Sequence, residues 1–218
     1  MDTCTRLSLS RVQRSTALLT LLAALLVVPS FAQQLQPISL PKPQITGGMP
    51  LMQALTQRHT TRVLGDRDIS LQMLSNLLWA AFGVNRPREV MQGLGRTAPS
   101  AMNSQDIELD VIVPSGVYVY DAEQNLLRPI LAGDVRASML TEAQARAPVT
   151  ILYVAGAKDT FAQVDTGFIG QNVYLYAASE GLNAWFYTVR AERITAALKL
   201  PASRLPLYAQ SVGYPPRP

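Results

Sequence analysis

Cysteine and histidine are almost missing from this 218-residue chain, which has only Cys4 and His59. One thiol excludes a disulfide framework and any multi-thiolate zinc or iron–sulfur site. One imidazole excludes a multi-histidine metal centre and argues against a Ser–His triad. Charge is scarce too. Charged residues make up 16% of the chain and aromatics 7%, and the formal net charge is only +4. Lys and Arg are scattered rather than clustered, so nothing points to a nucleic-acid partner. What is abundant is apolar: 48% hydrophobic residues, with 13 Gly and 15 Pro, the balance of a globular protein.

Residues 1–32 read as a secretory signal. Arg6, Arg11 and Arg14 supply a basic start, and an apolar run rich in Leu and Ala follows from Thr16 to Val28. Pro29 breaks the run, and Ser30 and Ala32 are the small residues of a cleavage site. The rival reading is an uncleaved membrane anchor; against it, the run is shorter than the roughly 20 residues that span a bilayer. The expectation is therefore an exported protein, periplasmic or secreted, with no stable membrane insertion once the signal is removed. Cys4 would leave with it, and a thiol-free remainder suits an oxidising compartment.

Residues 33–48 are rich in Pro, Gln and Gly and read as an extended arm. Residues 49–218 then read as one domain. Pro50 to Arg58 predicts a short helix with Leu51, Met52 and Leu55 on one face. Ser70 is a plausible N-cap for a helix to Phe82, whose Leu71, Leu74, Leu78 and Ala81 recur at helical spacing; Gly83 ends it.

From Ile107 the period changes to two. Ile107, Leu109, Val111 and Val113 alternate with Glu108 and Asp110, which predicts a half-buried strand. Val117 to Tyr120 and Leu126 to Leu131 predict two more strands, Thr141 to Arg146 a short helix, and Val149 to Ala155 a central strand. Lys158 to Glu180 predicts the longest helix, with few charges and many small residues, expected to be buried nearly all round. A strand at Asn183 to Val189, a helix at Ala191 to Leu198 and a strand at Leu205 to Gly213 complete the chain. Strands and helices do not alternate as regular βαβ units. The fold class is therefore α+β, with a mainly antiparallel sheet flanked by helices.

Three clusters could carry chemistry. Arg58-His59-Thr60-Thr61-Arg62 packs two guanidiniums, an imidazole and two hydroxyls into five residues. That is either a dense set of anion donors or a solvated turn. Arg96 to Gln105 is a loop with amides and hydroxyls at the start of a sheet. Asn103 and Gln105 both donate and accept, so they could read the edge of a planar heterocycle; a capped turn explains them equally. Asp165, Gly167, Gln171 and Asn172 are polar or small positions in an otherwise apolar helix. They must find partners or serve helix packing.

These stretches, in this order, resemble the nitroreductase family. "RHTTR" at 58–62 is similar to the family's early Arg-Arg/His-Ser-x-Arg/Lys motif, with Thr60 keeping the hydroxyl of the usual Ser. "RTAPSAMNSQ" at 96–105 resembles its Arg-x-x-Pro-Ser-x-x-Asn-x-Gln loop. "DTGFIGQNVYLYAASEGLNAWF" at 165–186 resembles its Asp-x-Gly helix and following strand. "VGYP" at 212–215 resembles its late Gly-Tyr-Pro, and Arg217 is the basic residue beyond it. The "LPKP…GG" arm and the "LLWAAFGVNR" helix are similar to the branch that includes peptide azoline dehydrogenases.

The resemblance implies a homodimer that binds FMN at its interface and takes electrons from NAD(P)H. The acceptor would be a small molecule such as a nitroaromatic or a quinone. It implies that Arg58, His59, Thr60 and Arg62 hold the phosphate and ribityl chain, with Arg217 reaching the phosphate. Pro99, Ser100, Asn103 and Gln105 would line the flavin pocket, and Trp185 and Phe186 would lie along the ring. The flavin would carry the chemistry, with no catalytic side chain and no metal. Two rival functions are a non-catalytic flavin-binding or scaffold module and a peptide azoline dehydrogenase.

Overall fold

The computed structural model describes residues 35–89, 93–156 and 160–217. The signal expectation for residues 1–32 lies outside these residues, as do Lys158 and Asp159 of the predicted long helix. Leu35–Pro218 forms one compact unit.

The chain order is β1 (Ile38–Ser39), α1 (Leu51–Gln57), α2 (Leu71–Phe82), β2 (Val84–Glu89), β3 (Gly93–Arg96) and β4 (Glu108–Val113). There follow β5 (Gly116–Asp121), β6 (Leu126–Ala132), α3 (Arg136–Met139), α4 (Glu142–Ala145) and β7 (Val149–Gly156). The chain ends with α5 (Ala162–Ser179), β8 (Asn183–Thr188), α6 (Ala191–Leu198) and β9 (Arg204–Gly213). Seven strands form one antiparallel sheet in the order β1-β6-β5-β4-β7-β9-β8. Hydrophobic alternation puts a separate core on each face. One holds α2 and α5 against Leu109, Val111, Ile151 and Tyr153. The other holds Met139, Ile194 and Leu198 against Ile112, Leu152 and Val154. Among the described residues no helix is long and apolar enough to cross a membrane.

Helix boundaries follow local chemistry. Ser70 Oγ accepts the Met73 N–H at 3.2 Å and starts α2. Gly83 stops it for a steric reason: its φ is −72°, and a Cβ there would come within 2.5 Å of Trp79. Gly181, with φ +66°, ends α5 in the left-handed conformation that glycine adopts most readily.

The arm runs extended, pairs Ile38 with Leu127 in a two-residue edge strand and packs Leu40 into the core. Two expectations are corrected. Helix α1 buries Ala54 and leaves Leu51, Met52 and Leu55 exposed, because the small side chain lets it seat closely. Helix α5 is not buried all round. Its buried row is Ala162, Asp165, Thr166, Ile169, Gly170, Val173 and Ala177, whereas Val164 and Phe168 are 53% and 43% exposed. Ala162, Gly170 and Ala177 are among the inward residues and let the helix lie on the sheet. A Cβ on Gly170 would come within 2.9 Å of the Phe186 ring. A hairpin at β2–β3 and the short helix α3 were not among the sequence expectations.

Candidate functional site

The segment 58–62 leaves α1 and runs along the edge of β8. Thr61 N–H donates to Ala184 O at 3.0 Å, which docks the segment on that strand. The Thr60 hydroxyl shares a 2.9 Å hydrogen bond with the Tyr174 hydroxyl, which itself accepts the Phe186 N–H at 2.9 Å. Tyr174 therefore ties α5, β8 and the Thr60 position together. Its sequence signal was only one tyrosine among several.

The two arginines take opposite sides. Arg58 lies 5.6 Å from the Tyr174 ring centre and Arg62 lies 5.8 Å from that of Trp185. Aromatic faces orient the guanidiniums and leave their N–H edges able to donate. His59 is exposed, and its Nδ1 sits 2.7 Å from Gln57 O. A carbonyl only accepts, so Nδ1 carries the hydrogen.

The loop 96–105 is built differently. Asp165, fully buried near the start of α5, accepts from Ser100 Oγ at 2.7 Å and from the Ala101 N–H at 2.9 Å. Two turns further on, Asn172 Nδ2 donates to Thr97 O at 3.2 Å. Gln105 donates to Leu94 O at 2.5 Å and to Asn103 Oδ1 at 2.7 Å, and accepts from Arg96 Nε at 2.8 Å. Burial lowers the pKa of Arg96 from its ordinary value, with the negative charge of Glu123 opposing. Met102, Asn103 and Gln105 have φ of 54°, 54° and 53°. Three non-glycine residues in the left-handed region cost free energy, and the bonds to Asp165 and Gln105 hold them there. Pro99 is exposed beside this turn and Ser100 is half-buried.

Trp185 and Phe186 fall on opposite faces of β8, as strand alternation requires. Trp185 lies beneath Arg62 and beside Tyr187, at 5.0 Å between ring centres. Phe186 points inward, stacked on Tyr208 at 5.1 Å and against Gly170.

Arg62 and Arg217 line one cavity of about 1200 Å³, although 154 residues lie between them in the chain. Arg67, Thr141, Glu142 and Arg146 lie on its other sides. None of these last four was singled out from the sequence, because they belong to no local cluster. A smaller cavity of about 430 Å³ lies between α1, α2 and α5, with Trp79, Thr97 and Asn172 in its wall. Among the described residues no group of three or more His, Cys, Asp or Glu side chains is placed to hold a metal.

One polar feature lies outside the site. Asp110 is fully buried on the α6 face of β4, next to Glu108, which pairs with Arg204 at 2.5 Å. Burial pushes the Asp110 carboxyl up to about 8; Glu108 adds to the shift and Arg204 opposes it.

The segment 58–62 thus meets α5 at Tyr174, and the loop 96–105 meets it at Asp165. Nine residues of helix separate these points, or about 13 Å at 1.5 Å per residue. One chain does not close the two clusters onto a single point.

Comparison with known proteins matches this arrangement. A family model described as "Nitroreductase family" covers residues 55–214. A protein of Methanocaldococcus jannaschii named as a candidate nitroreductase is 29% identical over 153 residues, which are 61% of this chain and 75% of that one. The crystal structure of a candidate nitroreductase from Ralstonia eutropha superposes with a TM-score of 0.74 at 31% identity, covering 84% of this chain and 91% of its own. A Clostridium difficile structure named as an FMN-dependent nitroreductase shares the fold at 19% identity and a TM-score of 0.52, covering 77% of this chain and 88% of its own. With the family model spanning the segment 58–62, the loop 96–105, helix α5 and "VGY", the chain belongs to the nitroreductase family.

Proposed function

We propose that this chain is an exported FMN-dependent oxidoreductase, acting as a homodimer, that passes electrons from NAD(P)H to a small acceptor such as a nitroaromatic or a quinone. The observation that carries the reading is the meeting of Arg62 and Arg217 at one cavity, with Trp185 beneath Arg62. That donor set fits a phosphate: guanidiniums bind phosphate oxygens through paired hydrogen bonds, and the indole face of Trp185 orients the Arg62 guanidinium for it.

Arg58, Arg62 and Arg217 would hold the FMN phosphate. Thr60 and His59 Nε2 would face the ribityl hydroxyls. The amide of Asn103 would meet the polar edge of the ring, while Gln105, its own amide engaged by Leu94, Asn103 and Arg96, would hold that turn in place. When bound, FMN supplies the hydride acceptance and release that no side chain here can perform. The work of the chain is to bind, to orient and to exclude water. Tyr174 fixes Thr60, and Asp165 fixes the loop.

The homodimer reading is supported by the outward row of α5. Val164 and Phe168 are large, apolar and exposed, and nothing lies within 4 Å of a Cβ built on Gly167 between them. A second copy packed on that row would approach closely at Gly167.

The test is anaerobic reduction. The FMN-loaded protein is mixed with NADH or NADPH, and a nitroaromatic or quinone is then added. Bleaching of the flavin followed by recovery supports the reading. Flavin that binds but stays oxidised with both donors would indicate a binding module instead.

A further inference from the structure

We propose that the cavity shared by Arg62 and Arg217 contains a second phosphoryl-binding subsite, built by Arg67 and Arg146, for the adenosine-diphosphate end of a dinucleotide. The inference rests on the flavin reading above for the first phosphate.

Size is the first reason. The cavity measures about 1200 Å³, above the roughly 300–1,000 Å³ usual for a small-molecule pocket. A single phosphate held by Arg62 and Arg217 does not fill this space. Charge is the second reason. Four guanidiniums and two carboxylates, Asp66 and Glu142, line the cavity, so its balance is positive, and among the described residues Arg67 is in no ion pair.

Geometry is the third. Arg67 follows Arg62 five residues later on a non-helical segment that the Gly65 N–H anchors to Tyr214 O at 2.8 Å, so the two can reach well-separated phosphates. Its guanidinium stacks 3.3 Å from the Tyr214 ring centre, which orients it while its N–H edge stays available. Arg146 comes from the opposite wall. Its partner is Glu142 at 3.1 Å, with side chains 66% and 89% exposed. An exposed pair of this kind is weak, and a phosphate offers the guanidinium a bidentate alternative. Between the arginines, Val63, Leu64 and Pro216 provide apolar wall for an adenine ring.

A flavin dinucleotide and a nicotinamide dinucleotide both carry the ADP moiety. Calorimetric binding of FMN, FAD, NADH and ADP to the full chain separates them, in the parent and in the double variant Arg67→Ala/Arg146→Ala. Both side chains are exposed, so the variant should fold, with a melting temperature close to that of the parent. The proposal expects ADP to bind the parent and to weaken by about tenfold or more in the variant, the scale of one lost charge-assisted hydrogen bond. FMN should change far less. Selective weakening of FAD assigns the subsite to the flavin; selective weakening of NADH assigns it to the donor. The proposal is overturned if FMN binds but ADP and both dinucleotides ignore the variant, or if FMN loosens as much as they do. Loss of all flavin binding in the parent, with ADP still variant-sensitive, would remove the flavin reading and leave the subsite. No binding by any of the four would remove both.

Discussion

Two polar stretches of similar composition are used in opposite ways. In 58–62 the guanidiniums rest on the faces of Tyr174 and Trp185. Among the described residues neither Arg58 nor Arg62 is in an ion pair. In 96–105 the side chains of Arg96, Ser100 and Gln105 are spent on one another, on backbone or on Asp165. The first stretch is shaped from outside, with aromatic faces orienting its guanidiniums. The second uses its donors to hold a strained turn. The lesson is that a polar motif divides into residues that grip and residues that position. Burial of the partner, as at Asp165, tells them apart.

This contrast is open to direct attack. The largest effect should come from Arg58→Ala/Arg62→Ala. Loss of two charge-assisted contacts of about 1.5–3 kcal/mol each should weaken FMN by two orders of magnitude or more. The melting temperature should hardly move, because both side chains lie on a surface segment. Asp165→Ala should do the reverse. It leaves Ser100 and the Ala101 N–H without their buried acceptor, and should cost about 2–4 kcal/mol of stability, read by urea denaturation.

The contrast also runs along α5, between its inner and outer glycines. Gly170→Ala forces a methyl against Phe186 and should cost about 1–3 kcal/mol. Gly167→Ala has open space and should raise monomer stability by up to about 1 kcal/mol through helix propensity. The same change should weaken self-association, measured by sedimentation, if the outer row is the dimer face.

The smallest effect belongs to Asp110, remote from both stretches. Its folded-state pKa of about 8 lies above the unfolded value near 3.9, so stability should fall as pH rises from about 4 to about 8. Asp110→Asn should flatten that slope and be more stable at pH 7, because no proton has then to be taken up on folding. FMN retention should be unaffected.

Much of the fold was legible in sequence because each element obeys one period. The alternation from Ile107 to Val113 marks β4, and the apolar run from Val149 to Ala155 marks β7. The β2–β3 hairpin was not legible, because Arg86, Pro87 and Arg88 break any alternation. Proline is tolerated there because the hairpin is a separate two-stranded sheet. The outward row of α5 was misread as core, since apolar periodicity does not say which of two rows faces the sheet. The decision lies with the small residues, whose role appears only when Gly170 meets Phe186. In the site, the 58–62 and 96–105 clusters were readable as local densities of donors. Arg67 and Arg146 were not, because only tertiary folding brings them to the cavity of Arg62.

The measurement that tests the central claim most directly is an absorbance spectrum of the protein after mixing with FMN and desalting. The account predicts flavin bands at stoichiometric occupancy. A colourless protein of intact fold would contradict it, because the donors of 58–62 and Arg217 would then be serving something other than a flavin phosphate.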